Sequence, residues 1–137
     1  MIIYINFYFN IILIFFKYII LYMIFKDNID KLTTNNKNYR KVLHTTKHIQ
    51  LVLMSLTSKQ EIGTEIHKNT TQFIRVEEGS GNAIINNIKY KLTKDTAIII
   101  PNNTIHNIIA GKNGLKIYTI YSPPEHKKNL VQKIKME

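Results

Sequence analysis

The 137-residue sequence contains no cysteine. Disulfides, thiolate metal sites and thiol nucleophiles are therefore excluded, and any metal ion must be held by histidine, carboxylate, amide or water ligands. The sequence also lacks a nucleophile elbow, a phosphate-binding glycine loop and a dinucleotide-binding fingerprint. These absences remove several common hydrolase, nucleotide-dependent and thiol-based chemistries before any residue is assigned a role.

Negative charge is scarce, and the formal net charge is +10 at pH 7. Such an excess can attract nucleic acid or an anionic membrane. However, the chain has no arginine-rich run and no RNA-binding motif. It is rich in Ile, Asn, Lys, Tyr and Phe, the residues that codons made only of A and T supply. Base composition therefore accounts for the lysines, and no nucleic-acid partner is expected.

One long hydrophobic run covers residues 1–25, with a single charged residue, Lys17, and no helix breaker. As a helix it would be about 37 Å long, which exceeds the hydrocarbon core of about 30 Å. It lacks the basic start and the cleavage site of a signal peptide. Basic residues follow the run rather than precede it, so a membrane anchor here would leave the following domain in the cytoplasm.

A second interpretation of residues 1–26 stays open. Apart from the methionine codons, A and T alone can encode the whole segment, so it can be translated upstream sequence with the true start near Met23. The protein would then be cytoplasmic without an anchor. Under either interpretation, residues 27–137 form the one remaining domain.

The body of the chain has the two-residue periodicity of β-strands and no convincing amphipathic helix. Turn signals recur every 8–12 residues, which is typical of a sandwich or barrel. The pattern predicts about eight short strands. They include 49–56, 73–77, a hairpin over 82–92 about Asn86-Asn87, a buried strand at 97–100 before Pro101, and 105–110 and 115–121 divided by residues 111–114.

The two ends of this domain are less regular. Residues 27–47 are polar and basic, and we expect a lead-in with one short helical turn. A double proline, Pro123-Pro124, ends the last strand, and Leu130, Val131 and Ile134 are predicted to cover the barrel as a helical turn.

The residues most able to carry chemistry are Glu65, His67, Gln72 and His106. Side chains two apart on a strand point to the same face, so Glu65 and His67 can reach one ion together. A turn at 68–71 then leads to Gln72 at the start of the next strand, and His106 follows a tight turn at 101–104. The other histidines, at 44, 48 and 126, are expected to have surface or packing roles.

The spacing of these residues resembles the two motifs of the cupins, G-x5-H-x-H-x3,4-E-x6-G and G-x5-P-x-G-x2-H-x3-N. Glu65 and His67 stand at the H-x-H pair, Gln72 stands at the glutamate, and Gly79 follows at the required distance. In the second motif Pro101 and His106 match. Asp95, Asn103 and Ala110 replace the first glycine, the middle glycine and the asparagine.

The stretches 72–79 and 115–126 are similar to a small single-domain subgroup of the cupin superfamily labelled mannose-6-phosphate isomerase-like. The similarity runs from about residue 28 to residue 126 and leaves out residues 1–26. It implies an all-β fold, a single cupin barrel (a double-stranded β-helix, or jelly roll), here with an N-terminal hydrophobic helix. It also implies a divalent metal ion, of the kinds Fe, Mn, Ni, Cu or Zn, held by Glu65, His67, Gln72 and His106.

The departures from the motif change the expected charge of the site. One carboxylate, one amide and two imidazoles contribute a charge of −1, so a divalent ion would leave the site positive and favour an anionic substrate. Because a neutral amide is a weak ligand, Gln72 is either a ligand or a group that orients a metal-bound water.

Two functions follow from the resemblance, and the sequence does not choose between them. The first is a metal-dependent enzyme that isomerises or oxygenates a small, anionic or sugar-like molecule, in which either Glu65, as the catalytic residue, or a metal-bound hydroxide moves the proton. The second is a non-catalytic module that binds a small ligand or sugar, tethered to a membrane if residues 1–25 are an anchor. Cupins host both. Many cupins pair their barrels, so a homodimer is a further expectation.

Overall fold

The computed structural model describes residues 11–16 and 24–136. Residues 11–16 are helical and exposed. The rest of the predicted N-terminal hydrophobic helix, the membrane anchor included, lies largely outside the described residues. Within the described part of the chain, every helix is too short or too polar to cross a membrane.

The domain consists of one helix, α1 (Ile29–Asn35), followed by seven strands in the part that the structure describes. The strands are β1 (Arg40–Thr45), β2 (Gln50–Leu56), β3 (Thr71–Ile85), β4 (Ile88–Thr93), β5 (Ala97–Ile100), β6 (His106–Ser122) and β7 (Val131–Gln132). All their pairings are antiparallel, in the order β4-β3-β6-β2-β1-β7, with β5 paired to β3. The expected all-β barrel architecture is confirmed.

Two long strands, β3 and β6, organise the barrel because each takes part in both of its halves. The first half of β3 lies between β5 and the end of β6, and its second half lies between β4 and the start of β6. The register shifts between Val76 and Glu78 and again between Gly79 and Gly81. Such irregularities bend a strand, which allows one strand to serve two parts of a closed sheet.

Several predicted boundaries were wrong at the ends of the domain. Residues 27–47 contain a seven-residue helix and a full strand, β1, rather than one helical turn. The tail forms the short strand β7, which pairs with β1, instead of a helical turn. Strand β1 pairs with β2, and β7 pairs with the other edge of β1, so both strands depend on pairing partners that a local sequence pattern does not show.

Two further corrections concern the middle of the chain. The segments 105–110 and 115–121 belong to one strand, β6, because both pair with β3 and the irregularity between them does not end the ladder. Strand β5 was expected to be buried, but its residues alternate, and Ile99 is 65% exposed. The hairpin between β3 and β4 is confirmed, and Asn86 and Asn87 adopt the positive φ values, 48° and 65°, of its turn.

The barrel interior is mainly apolar, and its polar side chains are concentrated in one layer. That layer consists of four register partners on adjacent strands, each at most 1% exposed: Gln50, Tyr121, Gln72 and Ile100. Directly paired residues share a face of a sheet, so two glutamine side chains and a tyrosine hydroxyl enter the barrel at the same level. The layers beyond it are mainly aliphatic, with Val52, Ile74, Met54 and Ile117 among their members. This polar layer lies at the end of the barrel that carries the site.

Candidate metal centre

The connection between β2 and β3 brings Glu65 and His67 into the mouth of the barrel. It is not the continuous strand that the sequence predicted. Glu65 forms an isolated bridge with His106, in which each backbone N–H donates to the carbonyl oxygen of the other residue, at 2.9 and 3.0 Å. A second bridge joins Glu61 to Ile109. The segment is extended enough to keep the alternation, so both side chains still turn the same way.

The turn before His106 is hydrogen-bonded to the connection between β2 and β3. The backbone N–H of Asn103 donates to the carbonyl oxygen of His67, and the side-chain amide of Asn102 donates to that of Lys68, at 3.2 Å. Asn103 has a φ of 57°, and Asp95, which also replaces a glycine of the cupin motif, has a φ of 66°. Asn and Asp tolerate this left-handed region better than other residues with a Cβ atom, so these two departures preserve the backbone path.

Glu65, His67 and His106 form a group that could hold a metal ion, since one ligand atom from each lies within 4.8 Å of the others. The carboxylate Oε1 of Glu65 is 3.3 Å from Nε2 of His67 and 3.4 Å from Nε2 of His106. Both imidazoles are buried, and the Glu65 side chain is 26% exposed. The three residues that the sequence singled out for their spacing are therefore brought together.

The outer nitrogen of each imidazole faces a hydrogen-bond acceptor. Nδ1 of His106 is 2.8 Å from the carbonyl oxygen of Thr104, and Nδ1 of His67 is 3.2 Å from the carboxylate of Glu125. Because a carbonyl and an ionised carboxylate can only accept, the proton of each neutral ring is placed on Nδ1. Both Nε2 atoms then direct a lone pair at the space beside Glu65.

Gln72 adds a fourth donor atom, an amide oxygen, to this space. Its side-chain NH₂ group donates to the hydroxyl groups of Thr119 and Tyr121, both at 3.1 Å. Its Oε1 atom therefore faces inward, 3.1 Å from Nε2 of His106. The sequence placed Gln72 correctly at the start of a strand, and the inward alternation of Gln72, Ile74 and Val76 is confirmed by their complete burial.

The donor set fits a divalent metal ion. Two imidazole nitrogens, a carboxylate oxygen and an amide oxygen converge, and all four present lone pairs when the rings are neutral. In keeping with this, Glu65 Oε1 and His67 Nε2 are buried without a hydrogen-bond partner. Mixed nitrogen and oxygen ligands of this kind suit first-row transition metals. The lone pairs need a cation to bring them together, either a metal ion or a proton.

The close approach of Glu65, His67 and His106 shifts the pKa values of Glu65 and His67. Burial by itself would raise the pKa of Glu65, but the adjacent imidazoles of His106 and His67 outweigh it and lower the pKa to about 2. The Glu65 carboxylate raises the pKa of His67, although burial acts in the opposite direction. Glu125 raises this pKa further. Glu65 is therefore ionised at neutral pH, and His67 holds a proton more firmly than an ordinary histidine does.

A segment after β6 closes over this group, and the sequence analysis assigns it no part in the site. Gln50, fully buried, donates to the backbone carbonyl of His126 and accepts from its N–H, both at 2.8 Å. This pair of bonds fixes the chain at His126 and so holds the neighbouring Glu125 against His67. The sequence pattern includes Gln50 in a strand, and a glutamine at an inward position of an apolar strand is a signal of a buried polar contact.

His126 packs on Tyr121 and so lies close to the candidate metal group. Its ring meets the Tyr121 ring edge-on, with centroids 4.9 Å apart, and Tyr121 meets the His67 ring at 5.5 Å. Burial, assisted by the positive charge of Arg40, lowers the pKa of His126 to about 4. Burial likewise raises the pKa of Tyr121. Both rings are thus neutral at pH 7.

Comparison with known proteins gives a consistent result. A family model described as "Cupin domain" matches residues 52–121. The uncharacterized protein YrkC of Bacillus subtilis is 39% identical over 120 residues, which cover 82% of this chain and 64% of that protein. An uncharacterized protein of Acanthamoeba polyphaga mimivirus is 44% identical over 104 residues, which cover 72% of this chain and 65% of the other. The chain thus spans slightly less than two thirds of the length of these curated relatives.

A solved structure supports the same relationship. The crystal structure of BH2720 from Bacillus halodurans superposes with a TM-score of 0.78 and 38% sequence identity. The match covers 80% of this chain and 88% of that one.

Proposed function

Because the chain belongs to the cupin domain family, we propose that it binds a divalent metal ion through Glu65, His67, Gln72 and His106. The observation that carries this proposal is the orientation of the donors. The outer polar atoms of the two imidazoles and of the Gln72 amide are hydrogen-bonded by Thr104, Glu125, Thr119 and Tyr121. The inner atoms of the same three side chains therefore direct their lone pairs at one point. The identity of the ion and the similarity to the mannose-6-phosphate isomerase-like subgroup stay predictions.

We assign the protein a reaction on a small molecule, by metal-assisted isomerisation or oxygenation, as the first candidate function. When bound, a divalent ion supplies Lewis-acid polarisation of a substrate oxygen and, for iron, access to oxygen chemistry. The chain supplies the rest: Tyr121 and Thr119 orient Gln72, Glu125 orients His67, and the buried layer below the site limits access of water. With a pKa of about 2, Glu65 is poorly matched to proton transfer at neutral pH. This favours the role of ligand over that of catalytic base.

A second candidate, a module that binds a small ligand without converting it, shares every feature of this site. The two differ in whether a bound molecule is released unchanged. Product analysis of metal-loaded protein, with sugars and small organic acids as substrates and in the presence and absence of oxygen, separates them. Turnover that disappears with the metal supports the enzyme, whereas saturable binding without product supports the module.

The metal proposal is tested on the full chain by elemental analysis with plasma mass spectrometry. The protein is purified without added metal and then offered Fe(II), Mn(II), Ni(II) and Zn(II) separately. Near-stoichiometric metal is expected in the parent and should be lost in the double variant His67→Ala, His106→Ala. The matched control is His44→Ala, His48→Ala, which removes two histidines of strand β1 and the turn after it. A parent that binds none of these ions contradicts the proposal.

A further inference from the structure

Gln50 is a polar side chain at a fully buried position of β2. The nitrogen and the oxygen of its amide are both hydrogen-bonded. The NH₂ group donates to the hydroxyl group of Thr45 at 3.0 Å and to the backbone carbonyl oxygen of His126 at 2.8 Å. The oxygen accepts from the backbone N–H of His126, also at 2.8 Å. Because the nitrogen of an amide only donates and its oxygen only accepts, these bonds fix both the position and the orientation of the group.

We call residues 123–129, which connect the end of β6 to Leu130, the strap. In the part of the chain that the structure describes, the strap backbone is hydrogen-bonded to the strands at His126 alone, and Gln50 makes both bonds. The ring of His126 adds an edge-on contact with Tyr121. Beyond the strap, the carbonyl oxygen of Leu130 accepts from the backbone of β1. Gln50 is thus the residue that holds the middle of the strap backbone to the barrel.

Glu125 is the strap residue that reaches the candidate metal group. Its carboxylate is 3.2 Å from Nδ1 of His67, and its side chain is 33% exposed. The packing around this carboxylate is therefore incomplete, and its position depends on the backbone that carries it. The N–H of His126 belongs to the peptide unit that joins Glu125 to His126, and such a unit is planar. The bond from this N–H to Gln50 consequently orients the Cα atom of Glu125 as well.

His67 lies between two carboxylates that compete for its proton. Glu125 is 3.2 Å from Nδ1, and Glu65 is 3.3 Å from Nε2. An ionised carboxylate only accepts hydrogen bonds, so a neutral ring gives its single proton to one of the two. When the proton faces Glu125, Nε2 keeps a lone pair for a metal ion, and when it faces Glu65, that lone pair is lost. The placement of Glu125 therefore decides whether the site can receive an ion.

From these contacts we propose that Gln50 is a positioning residue of the metal centre. By holding the strap, it keeps Glu125 at Nδ1 of His67 and so selects the tautomer whose Nε2 can bind the ion. This proposal rests on the proposed function, since it concerns the same site. The hydrogen bonds of Gln50 reach neither ligand imidazole, so its action on the ion is transmitted through the strap.

The first test needs no metal. Nitrogen-15 NMR of the metal-free full chain, above the midpoint of the His67 titration, measures the fraction of neutral His67 rings with the proton on Nδ1. This fraction should fall by about twofold or more in Gln50→Met, as expected when one of two competing acceptors is displaced. The His106 ring is an internal control, because its Nδ1 faces the carbonyl oxygen of Thr104 and not the strap. An unchanged His67 tautomer in Gln50→Met overturns the proposal.

The second test measures whether Gln50 acts through Glu125. In calorimetric titrations with Zn(II), Gln50→Met should lower the affinity about threefold to tenfold, no more than the loss of the outer partner itself. In the Glu125→Gln background the same change should lower it by less than about twofold, because residues that act through one another are not additive. An equal loss in both backgrounds would show an effect on the whole fold and would contradict the proposal.

Two further variants separate positioning from folding. Thr45→Val keeps the side-chain shape but removes the hydroxyl group that orients the Gln50 amide, and it should shift the His67 tautomer in the same direction by a smaller amount. If Gln50→Met does not fold, this variant decides, and an unshifted tautomer refutes the role of Gln50. Gln132→Met removes another glutamine contact of the tail, with Arg40, and should leave tautomer and affinity unchanged. The same effect in Gln132→Met, in protein with native circular dichroism, would also refute it.

The two proposals fail separately. A parent that binds no Zn(II) refutes the metal centre, and the action of Gln50 on His67 is then decided by the metal-free tautomer measurement. A parent that binds Zn(II), with tautomer and affinity both retained in Gln50→Met, refutes the role of Gln50 alone.

Discussion

At the scale of single residues, the site is defined by where its protons are. His67 and His106 each have a hydrogen-bond acceptor at Nδ1, which places the proton of the neutral ring there. The unprotonated Nε2 atoms of both rings then lie beside the carboxylate of Glu65. Second contacts of this kind commonly orient metal-binding histidines. The same two rings without Glu125 and Thr104 would be free to place a proton on Nε2 and block the centre.

Glu125→Gln is expected to lower metal affinity about tenfold, the lower end of the effect seen when such outer partners are replaced. The amide has nearly the same shape but cannot accept with a full negative charge, so the Nδ1 proton of His67 is held less firmly. Calorimetric titration with Zn(II) measures the change. Glu78→Gln, which alters an exposed carboxylate on β3, is the control. Equal affinity in all three proteins would contradict the role of Glu125.

Metal affinity is expected to fall as the pH decreases from 8 to 6. The pKa of His67 is raised above its ordinary value of 6.5 by Glu65, so a proton competes for Nε2 at a higher pH than for a free histidine. Binding must then displace that proton. Titrations in buffers of different ionisation enthalpy count the protons released. Glu65 contributes little to this dependence because its pKa of about 2 keeps it ionised throughout. An affinity that is flat over this range would show that His67 is not a ligand.

At the scale of elements, the connection between β3 and β6 depends on a close backbone approach at Gly79. Gly79 has a φ of 82°, and a Cβ atom built on it would lie 2.2 Å from the carbonyl oxygen of Gly114. The cupin-like spacing from Gln72 to Gly79 therefore has a steric cause: the bend that ends the first half of β3 leaves no room for a side chain.

Gly79→Ala is expected to destabilise the fold by more than Gly63→Ala. Gly63 also has a positive φ, 105°, but its added Cβ would meet only the flexible end of Lys135, at 3.8 Å. The Gly63 variant should cost about 1–3 kcal/mol for backbone strain alone, and the Gly79 variant should add the clash with backbone atoms. Urea unfolding gives both free energies of unfolding. If the two variants are equally stable, the close approach is not what fixes glycine at position 79.

At the scale of the whole molecule, the proposed metal centre joins segments that are distant in the sequence. The β2–β3 connection provides two of its donors, β3 provides Gln72, and β6 provides His106. An ion bound to all of them holds together parts of the barrel that separate on unfolding. The homodimer expected from the sequence stays a prediction.

Metal binding is therefore expected to raise the stability of the whole domain. A ligand that binds only the native state at a hundredfold excess over its dissociation constant adds about 2.7 kcal/mol. Thermal unfolding of the parent with Zn(II), compared with a chelator, measures this. The double variant His67→Ala, His106→Ala should show no difference between the two conditions. An equal response of parent and variant would indicate that the ion binds elsewhere.

The sequence by itself determined those features that are encoded over a few residues. Short apolar runs placed β2 and β5, the two asparagines at 86 and 87 set the hairpin, and the spacing of Glu65, His67 and Gln72 identified a candidate site. Strand periodicity, tolerance of positive φ and the common face of residues two apart are local properties of the backbone. These features can therefore be predicted without knowing which residues pack against them.

Only the tertiary structure decided the surroundings of that site. Glu125 meets His67 across 58 positions of sequence, and Gln50 meets the backbone of His126 across 76. The inward direction of Arg40 follows from its register with Met54, which depends on how β1 closes the sheet. Closure of the barrel sets these contacts, and their partners carry no local pattern. The physical reason is that hydrogen-bond partners, tautomers and shifted pKa values depend on distances in space, which periodicity along the chain does not contain.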